Sequence, residues 1–400
     1  MAVKIIRQPN KIALLGVPTS AAALAAGSEK GPAALRAAGL VERLREAGYE
    51  VTDLGDDPVQ LFQPDEESPR ARNLRRIVAA LDVLKPRVEA AVKSGALPLI
   101  LSGDCIIALA TVAGLRRYCR AVSFVYMDRD ADLNVPATTP SGCLDGMVIA
   151  HLVGRGAAEL VRFWGEPPLV REPDIALFGV DRLDPAEEEF LRHSPIRRYL
   201  AADVLRKGAA RAAEEAVERT HGSANEFVLH FDVDVIASED FTATNLPGSG
   251  GLRLDDVRQA LEVFARQKHL AAIEVAAYNP ERDPDGAGAK IIVDLLVSAL
   301  ASRRAAFSVP AEPAAVSAAA AVVESPASPP AEFPAAPPHS PPPTESPAPP
   351  ASEPSAAVEP EPPAVPEPAA AERASPVTET SPSPEPAASE PSEESTPEGN

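Results

Sequence analysis

Five aspartates in two short stretches carry the most telling chemistry in this sequence. Asp128, Asp130 and Asp132 alternate in DRDADLN, and Asp232 and Asp234 do so in DVD. Each group follows an apolar run, SFVYM or EFVLHF, that reads as a buried strand. Alternate residues of a strand share one side, so each run is expected to gather its carboxylates at the strand's carboxyl end. Five carboxylates in one crevice raise one another's pKa and destabilise the fold unless cations neutralise them. Hard oxygen donors suit divalent Mn or Mg better than Zn. A single Asp-x-Asp after a strand is ordinarily a turn or a helix cap. Two such groups, each closing a buried strand, point to a metal centre.

The elements that must position these residues are legible as alternating patterns. Strands are expected at KIALLGV from Lys11, VTDLGD from Val51, LPLILSG from Leu97 and AVSFVYMD from Ala121. Further strands follow at IALFGV from Ile175, EFVLHFDVD from Glu226 and LAAIEVA from Leu270. Most are continuously apolar, as strands covered on both faces must be. GPAALRAAGLVERLREAG from Gly31 has Pro near its start and Gly at its end, as helices do. ARNLRRIVAALDVLKPRVEAAVKSG from Ala71 repeats at helical spacing, and Pro86 predicts a kink or a split. GAKIIVDLLVSALASRR from Gly288 is the last helix. The alternation predicts a doubly wound, three-layer α/β domain with its site outside the carboxyl ends of the strands.

Composition divides the chain. Residues 310–400 hold 26 of its 44 prolines and fifteen glutamates, against a single arginine, Arg373, and a single aromatic, Phe333. That segment has too little apolar bulk to offset the entropy of ordering, and disorder is expected. The boundaries expected are 1–308 for the folded domain and 309–400 for an acidic tail able to contact other proteins. The net charge of −20 resides mostly in the tail, and an acidic balance argues against nucleic-acid binding. No run reaches the roughly 18–20 apolar residues that span a bilayer, and the N-terminus lacks a leader pattern. Cys105, Cys119 and Cys143 are too few and too scattered for a disulfide framework. A cytoplasmic location is the expectation, with neither nucleic acid nor membrane as partner.

The motifs, in order, resemble those of the ureohydrolase family of arginase, agmatinase and formiminoglutamase. KIALLGVPTS with GSEKGPAALRAAGL resembles its opening strand and helix, and LSGDC its Gly-Gly-Asp-His motif. DRDADLNVPATTPSGCLDG resembles its Asp-Ala-His-x-Asp-x-Asn stretch and the Ser-Gly-Asn-x-His-Gly that follows. HFDVDVI and AAYNP resemble Phe-Asp-Val-Asp and Glu-Val-Asn-Pro. The resemblance covers about Lys11 to Leu300. It implies an arginase-like α/β/α sandwich on a mainly parallel sheet of about eight strands. It matches Asp128, Asp132, Asp232 and Asp234 to the metal-binding aspartates of a dimanganese site, and Asn134 and Ser141 to substrate-holding positions. It implies two Mn ions about 3.5–4 Å apart that activate a bridging water for attack on a planar carbon. It also implies a small-molecule substrate and a homo-oligomer.

Departures from the family pattern sit at the site itself. Cys105 and Asp130 stand where the family has ligand histidines, and Asp145 where it has a proton-shuttling one. With Asp130 and Cys105 completing the metal shell, a soft thiolate could bring in Zn or Fe. Asp145 is then the candidate to pass a proton to the leaving amine. Ala277 stands where a glutamate grips the guanidinium, which points away from arginine as substrate, and Ala237-Ser238 replace an Asp-Pro. His230, two before Asp232, is a fallback ligand or base, and a buried, hydrogen-bonded histidine is its plainer reading. Glu274 is expected to support the metal shell, and Cys143 to line the pocket. His151, His193, His221 and His269 read as structural, and GSGG from Gly248 as a plain loop lacking a phosphate loop's lysine.

The reading is therefore a metal-dependent hydrolase of non-peptide C–N bonds in a linear amidine- or guanidine-like substrate. The alternative is a catalytically degenerate member that binds a metabolite or a metal. A deacetylase on a related fold ranks last, because its Asp-x-His pattern and histidine pair are missing.

Overall fold

A computed structural model describes residues 7–220 and 226–308. The expected acidic tail and His221 lie outside the described residues. In chain order the elements are β1 (Lys11–Val17), α1 (Gly31–Ala37), α2 (Leu40–Glu46), β2 (Glu50–Asp56), α3 (Leu74–Lys93), β3 (Leu97–Ser102), α4 (Ala108–Arg116), β4 (Ser123–Met127), α5 (Val148–Leu152) and α6 (Ala158–Val161). They continue with β5 (Ile175–Val180), α7 (Pro185–His193), β6 (Arg197–Leu200), α8 (Ala201–Lys207), α9 (Ala209–Thr220), β7 (Phe227–Asp232), α10 (Leu254–Ala265), β8 (Leu270–Ala276) and α11 (Ala287–Phe307).

The eight strands form one sheet in the order β2-β1-β3-β8-β7-β4-β5-β6, and every pairing is parallel. Strand residues alternate between two buried clusters. Ile12 and Leu14 face one with α1, α2 and α8 to α11, whereas Ala13, Leu15 and Val17 face the other with α3 to α7. This is the expected three-layer architecture, and it explains why the central strands are apolar throughout. The sheet's edges were harder to read. β2 is mostly exposed, and β6, RRYL, is a polar edge strand with no apolar signature of its own. No described helix is long and apolar enough to cross a membrane.

Two helical expectations need correction. The stretch from Gly31 forms two helices because Gly39 turns left-handed, with φ +86°, between α1 and α2. Conversely, α3 runs unbroken through Pro86. Proline in a helix interior costs about 3 kcal/mol. The inward stripe Ile77, Leu81, Leu84, Val88 and Val92 offsets it, at about 1.5–3 kcal/mol for each large side chain buried.

Candidate metal centre

The order of the strands brings β3, β8, β7 and β4 side by side, and their carboxyl ends carry Cys105, Ala277, Asp232 and Asp128. Tyr126, His230 and Glu274 form one row across β4, β7 and β8. Two residues further along a strand the side chains return to the same face. Asp232 therefore lies a layer above His230, and Asp128 leaves β4 a layer above Tyr126.

β4 stops at Met127, and the expected strand-like stacking of Asp128, Asp130 and Asp132 stops with it. The convergence arises from turns instead. Asp128 Oδ1 accepts from the Asp130 amide at 2.7 Å, and Asp232 Oδ1 accepts from the Asp234 amide at 2.7 Å. Each Asp-x-Asp thus folds on itself by an aspartate side chain satisfying the backbone two residues on. Asp132 is held left-handed at φ +48°, and its carbonyl accepts from the Ile149 and Ala150 amides. All five aspartates reach one cavity of about 590 Å³, together with Cys105, Asn134, Ser141, Cys143 and Asp145. Asp181, Asp184 and Glu187 add to its acid lining, and Arg182 is the one basic residue there.

The residues named from sequence divide by what holds them. Cys105 Sγ donates to Asp232 Oδ2 at 3.0 Å. Asp145 Oδ1 accepts from the backbone amides of Cys105 and Ile106 at 2.6 and 3.2 Å, so this carboxylate anchors the turn that presents the thiol. The Tyr126 hydroxyl donates to Asp132. Asp130, expected in the metal shell, is gripped on both oxygens by Arg182, at 2.7 Å from Nε to Oδ1. Arg182 also reaches Asp234 Oδ2 at 2.6 Å. On the outer wall Asn134 Nδ2 donates to Asp184 at 2.7 Å, and Ser141 Oγ accepts from the Cys143 amide at 3.1 Å. Ala277 lines the floor in a left-handed conformation, φ +65°. Non-glycine residues so held gather at functional sites, and two of the three described here line this cavity.

Burial and mutual repulsion act together on these groups. Burial, then Asp232 and Asp234, push Asp128 well above the usual carboxylate range. Burial raises Asp132 and Asp232 in the same way, with Asp130 and Asp234 respectively as the chief charged neighbours. Burial also raises Asp145 to about 6. Asp130 reaches about 6 through burial and Asp234, even with Arg182 opposing. The Cys105 thiol is pushed up by burial and by Asp232. Without a further cation these carboxylates favour their protonated forms.

The donors present fit a divalent cation. Ligand atoms of Cys105, Asp128 and His230 lie within 4.8 Å of one another, as do those of Asp128, Asp232 and Asp234. His230 Nε2 and Asp234 Oδ1 are buried and have no hydrogen-bond partner. Asp128 belongs to both groups.

The chain is similar to known proteins over most of its length. The Arginase family profile matches residues 10–301. An arginase from Bacillus caldovelox is 32% identical over 293 residues, 72% of this chain and 97% of that protein. The crystal structure of an arginase from Bacillus cereus superposes with a TM-score of 0.68 at 29% identity, covering 73% of this chain and 98% of the other. A formimidoylglutamase from Bacillus subtilis shares the fold, with a TM-score of 0.61 at 19% identity over 76% of this chain and 89% of that one. The chain belongs to the arginase family, within the ureohydrolases.

Several contributors were not expected from sequence. Arg182 follows β5 in GVDRLDP, and the rule that sites follow strands pointed at that loop, but no motif marked the arginine. Fully buried Arg129 donates to the carbonyls of Leu246 and Gly248 at 2.5 and 2.6 Å and ties down the loop over the cavity. Glu274, expected to support the metal shell, accepts from Thr111 Oγ1 and from His230 Nδ1, the latter at 3.0 Å. Thr111→Val removes the donor while keeping the shape, leaving a buried carboxylate oxygen unpaired. A loss of about 1–3 kcal/mol in unfolding free energy is expected by urea denaturation. An unchanged midpoint would show that Glu274 is not held from below. His151 is structural, its ring between the Met147 carbonyl and the Ala157 amide.

Proposed function

We propose that this protein is a metal-dependent hydrolase of a C–N bond in a small amidine- or guanidine-like molecule. One observation carries the reading: buried ligand atoms from β7, from the ends of β4 and β7 and from the turn after β3 converge on one floor at the carboxyl edge of an arginase-family sheet, and two of them, His230 Nε2 and Asp234 Oδ1, have no hydrogen-bond partner. A divalent cation bound there supplies charge neutralisation and Lewis-acid activation of water near neutral pH. The chain's own residues do the rest. Asp128, shared between the two donor groups, and Asp232 set the floor. Asp130, Asp132 and Asp234 complete its acid wall, and Asp145 fixes the position of Cys105. Asp145, with only Oδ1 committed to backbone amides, is the candidate to pass a proton to the leaving amine.

The cavity's charge narrows the substrate class. Nine acidic side chains line it against one arginine already engaged by two of them. A cationic amidinium or guanidinium is attracted to such walls, whereas an anion is repelled. Ala277 offers no carboxylate at the place where the family's glutamate is expected, so the reading does not extend to arginine itself. The native assembly is proposed to be homo-oligomeric and cytoplasmic, with residues 1–308 as the catalytic unit and 309–400 as a separate segment.

The test is release of ammonia or urea from a panel of amidines and guanidines by the metal-loaded full chain. No turnover of any member, with metal bound, would defeat the reading. Within that panel Asn134→Ala and Ser141→Ala are expected to raise KM about 5–10-fold and to change kcat less, since each removes roughly 1 kcal/mol of uniform binding. Equal loss in kcat would instead place these groups at the reacting atoms.

A further inference from the structure

We propose that the centre takes one divalent ion, through Cys105 Sγ, Asp128 and His230 Nε2, and that Arg182 is a permanent cation in the remaining half. This rests on the hydrolase reading and deepens it by naming the donors and the number of ions.

His230 is fully buried, and its two ring nitrogens are treated differently. Nδ1 lies 3.0 Å from Glu274 Oε2, and Thr111 holds the other oxygen of that carboxylate. A carboxylate on one nitrogen fixes the tautomer, so Nδ1 keeps the proton and Nε2 presents its lone pair. Nε2 has no partner, although leaving a buried acceptor alone is destabilising. The ring stacks on Tyr126 with centroids 4.7 Å apart, which restricts its rotation. The Cys105, Asp128 and His230 ligand atoms, within 4.8 Å of one another, need only small shifts to surround an ion about 2.0–2.3 Å from each. A carboxylate oriented on an imidazole that faces a thiol and an aspartate is the arrangement of a structured zinc site. Sulfur and nitrogen donors favour Zn or Co over Mn there. The ligand histidines expected near positions 105 and 130 are absent, and a histidine from one layer deeper in β7 supplies the imidazole.

The other half is already occupied. Arg182 Nε is 2.7 Å from Asp130 Oδ1, one terminal nitrogen reaches Asp130 Oδ2 and lies 2.6 Å from Asp234 Oδ2, and the other lies 3.1 Å from the Leu246 carbonyl. Both oxygens of Asp130 are spent. A guanidinium does not lose its proton in proteins, so its charge is fixed. A second ion at Asp128, Asp232 and Asp234 would find Asp234 Oδ1 open, but it would have to sit against the fixed guanidinium charge already held on Asp234 Oδ2.

The full chain is stripped with a chelator, reloaded separately with Zn and Co, and its metal content measured by mass spectrometry. One equivalent is expected, with a thiolate-to-cobalt charge-transfer band that Cys105→Ser abolishes. His230→Gln is expected to weaken binding at least about 10-fold. Arg182→Ala is expected to admit a second equivalent. Two equivalents in the unmutated chain, no charge-transfer band, no metal at all, or a single equivalent in Arg182→Ala each overturn the proposal. Turnover with two equivalents would refute this inference and spare the hydrolase reading. One equivalent with the expected band but no hydrolysis would do the reverse.

Discussion

Asp128→Asn is expected to abolish C–N hydrolysis and to cut metal affinity at least about 100-fold, yet to leave the metal-free protein as stable as the parent or more so. The first half follows from geometry, because Asp128 is the one side chain common to both donor groups. Outer-shell changes alone cost about 10–100-fold in affinity, so loss of a shared donor must exceed that. The second half follows from electrostatics. Burial, Asp232, Asp234, Asp132 and Asp130 all raise the pKa of Asp128, so its charged form destabilises the empty site. An amide of the same shape relieves that repulsion. In the parent an ion at 100 times its Kd adds about 2.7 kcal/mol. For a folded region near 290 residues this amounts to roughly 4 °C in Tm. Calorimetry with and without chelator should show that shift in the parent and none in Asp128→Asn. A variant that kept the shift, or whose apo form melted well below the parent's, would mean that Asp128 has a structural partner and is not a ligand.

What the sequence disclosed and what it hid follow from the range of the interactions involved. Continuous apolar runs revealed six of the eight strands, because burial on both faces leaves a local record in composition, and VTDLGD marked the mostly exposed β2 less plainly. β6 left none, being short and half-exposed at the edge. The aspartate groups were legible because each is a local device, one carboxylate capping the amide two residues on. Their assembly needed the order β3-β8-β7-β4, which joins stretches about a hundred residues apart. His230 could be placed on the correct side from period two alone. Its fitness as a donor depended on Glu274, 44 residues later in a neighbouring strand, and on Thr111 in α4. Arg182 was hidden for the same reason, since nothing near GVDRLDP shows that β5 lies beside β4.

Gly103→Ala is expected to cost roughly 3 kcal/mol or more, about 5 °C in Tm, and to weaken metal binding together with stability. A Cβ at Gly103 would stand 1.8 Å from the Thr19 carbonyl oxygen and 2.8 Å from the carbonyl carbon and oxygen of Ser28. All three are backbone atoms, so no side chain can swing away. The crossing cannot open locally either. The Gly103 amide donates to the Val17 carbonyl, its own carbonyl accepts from the Ala277 amide, and Thr19 Oγ1 donates to Asp104 at 2.8 Å. Any shift that admits a methyl group therefore moves the turn bearing Cys105 against the floor at Ala277. Gly39→Ala is the control. It sits at φ +86° with nothing within 4 Å of the added carbon, so only backbone strain of about 1–2 kcal/mol applies. Denaturation curves and metal titrations of the two variants separate the cases. Gly39→Ala should lose some stability and keep its metal, whereas Gly103→Ala should lose both. Equal, small losses with metal binding intact in each would show that the loops after β1, β3 and β8 yield independently, and that the centre does not depend on their close crossing.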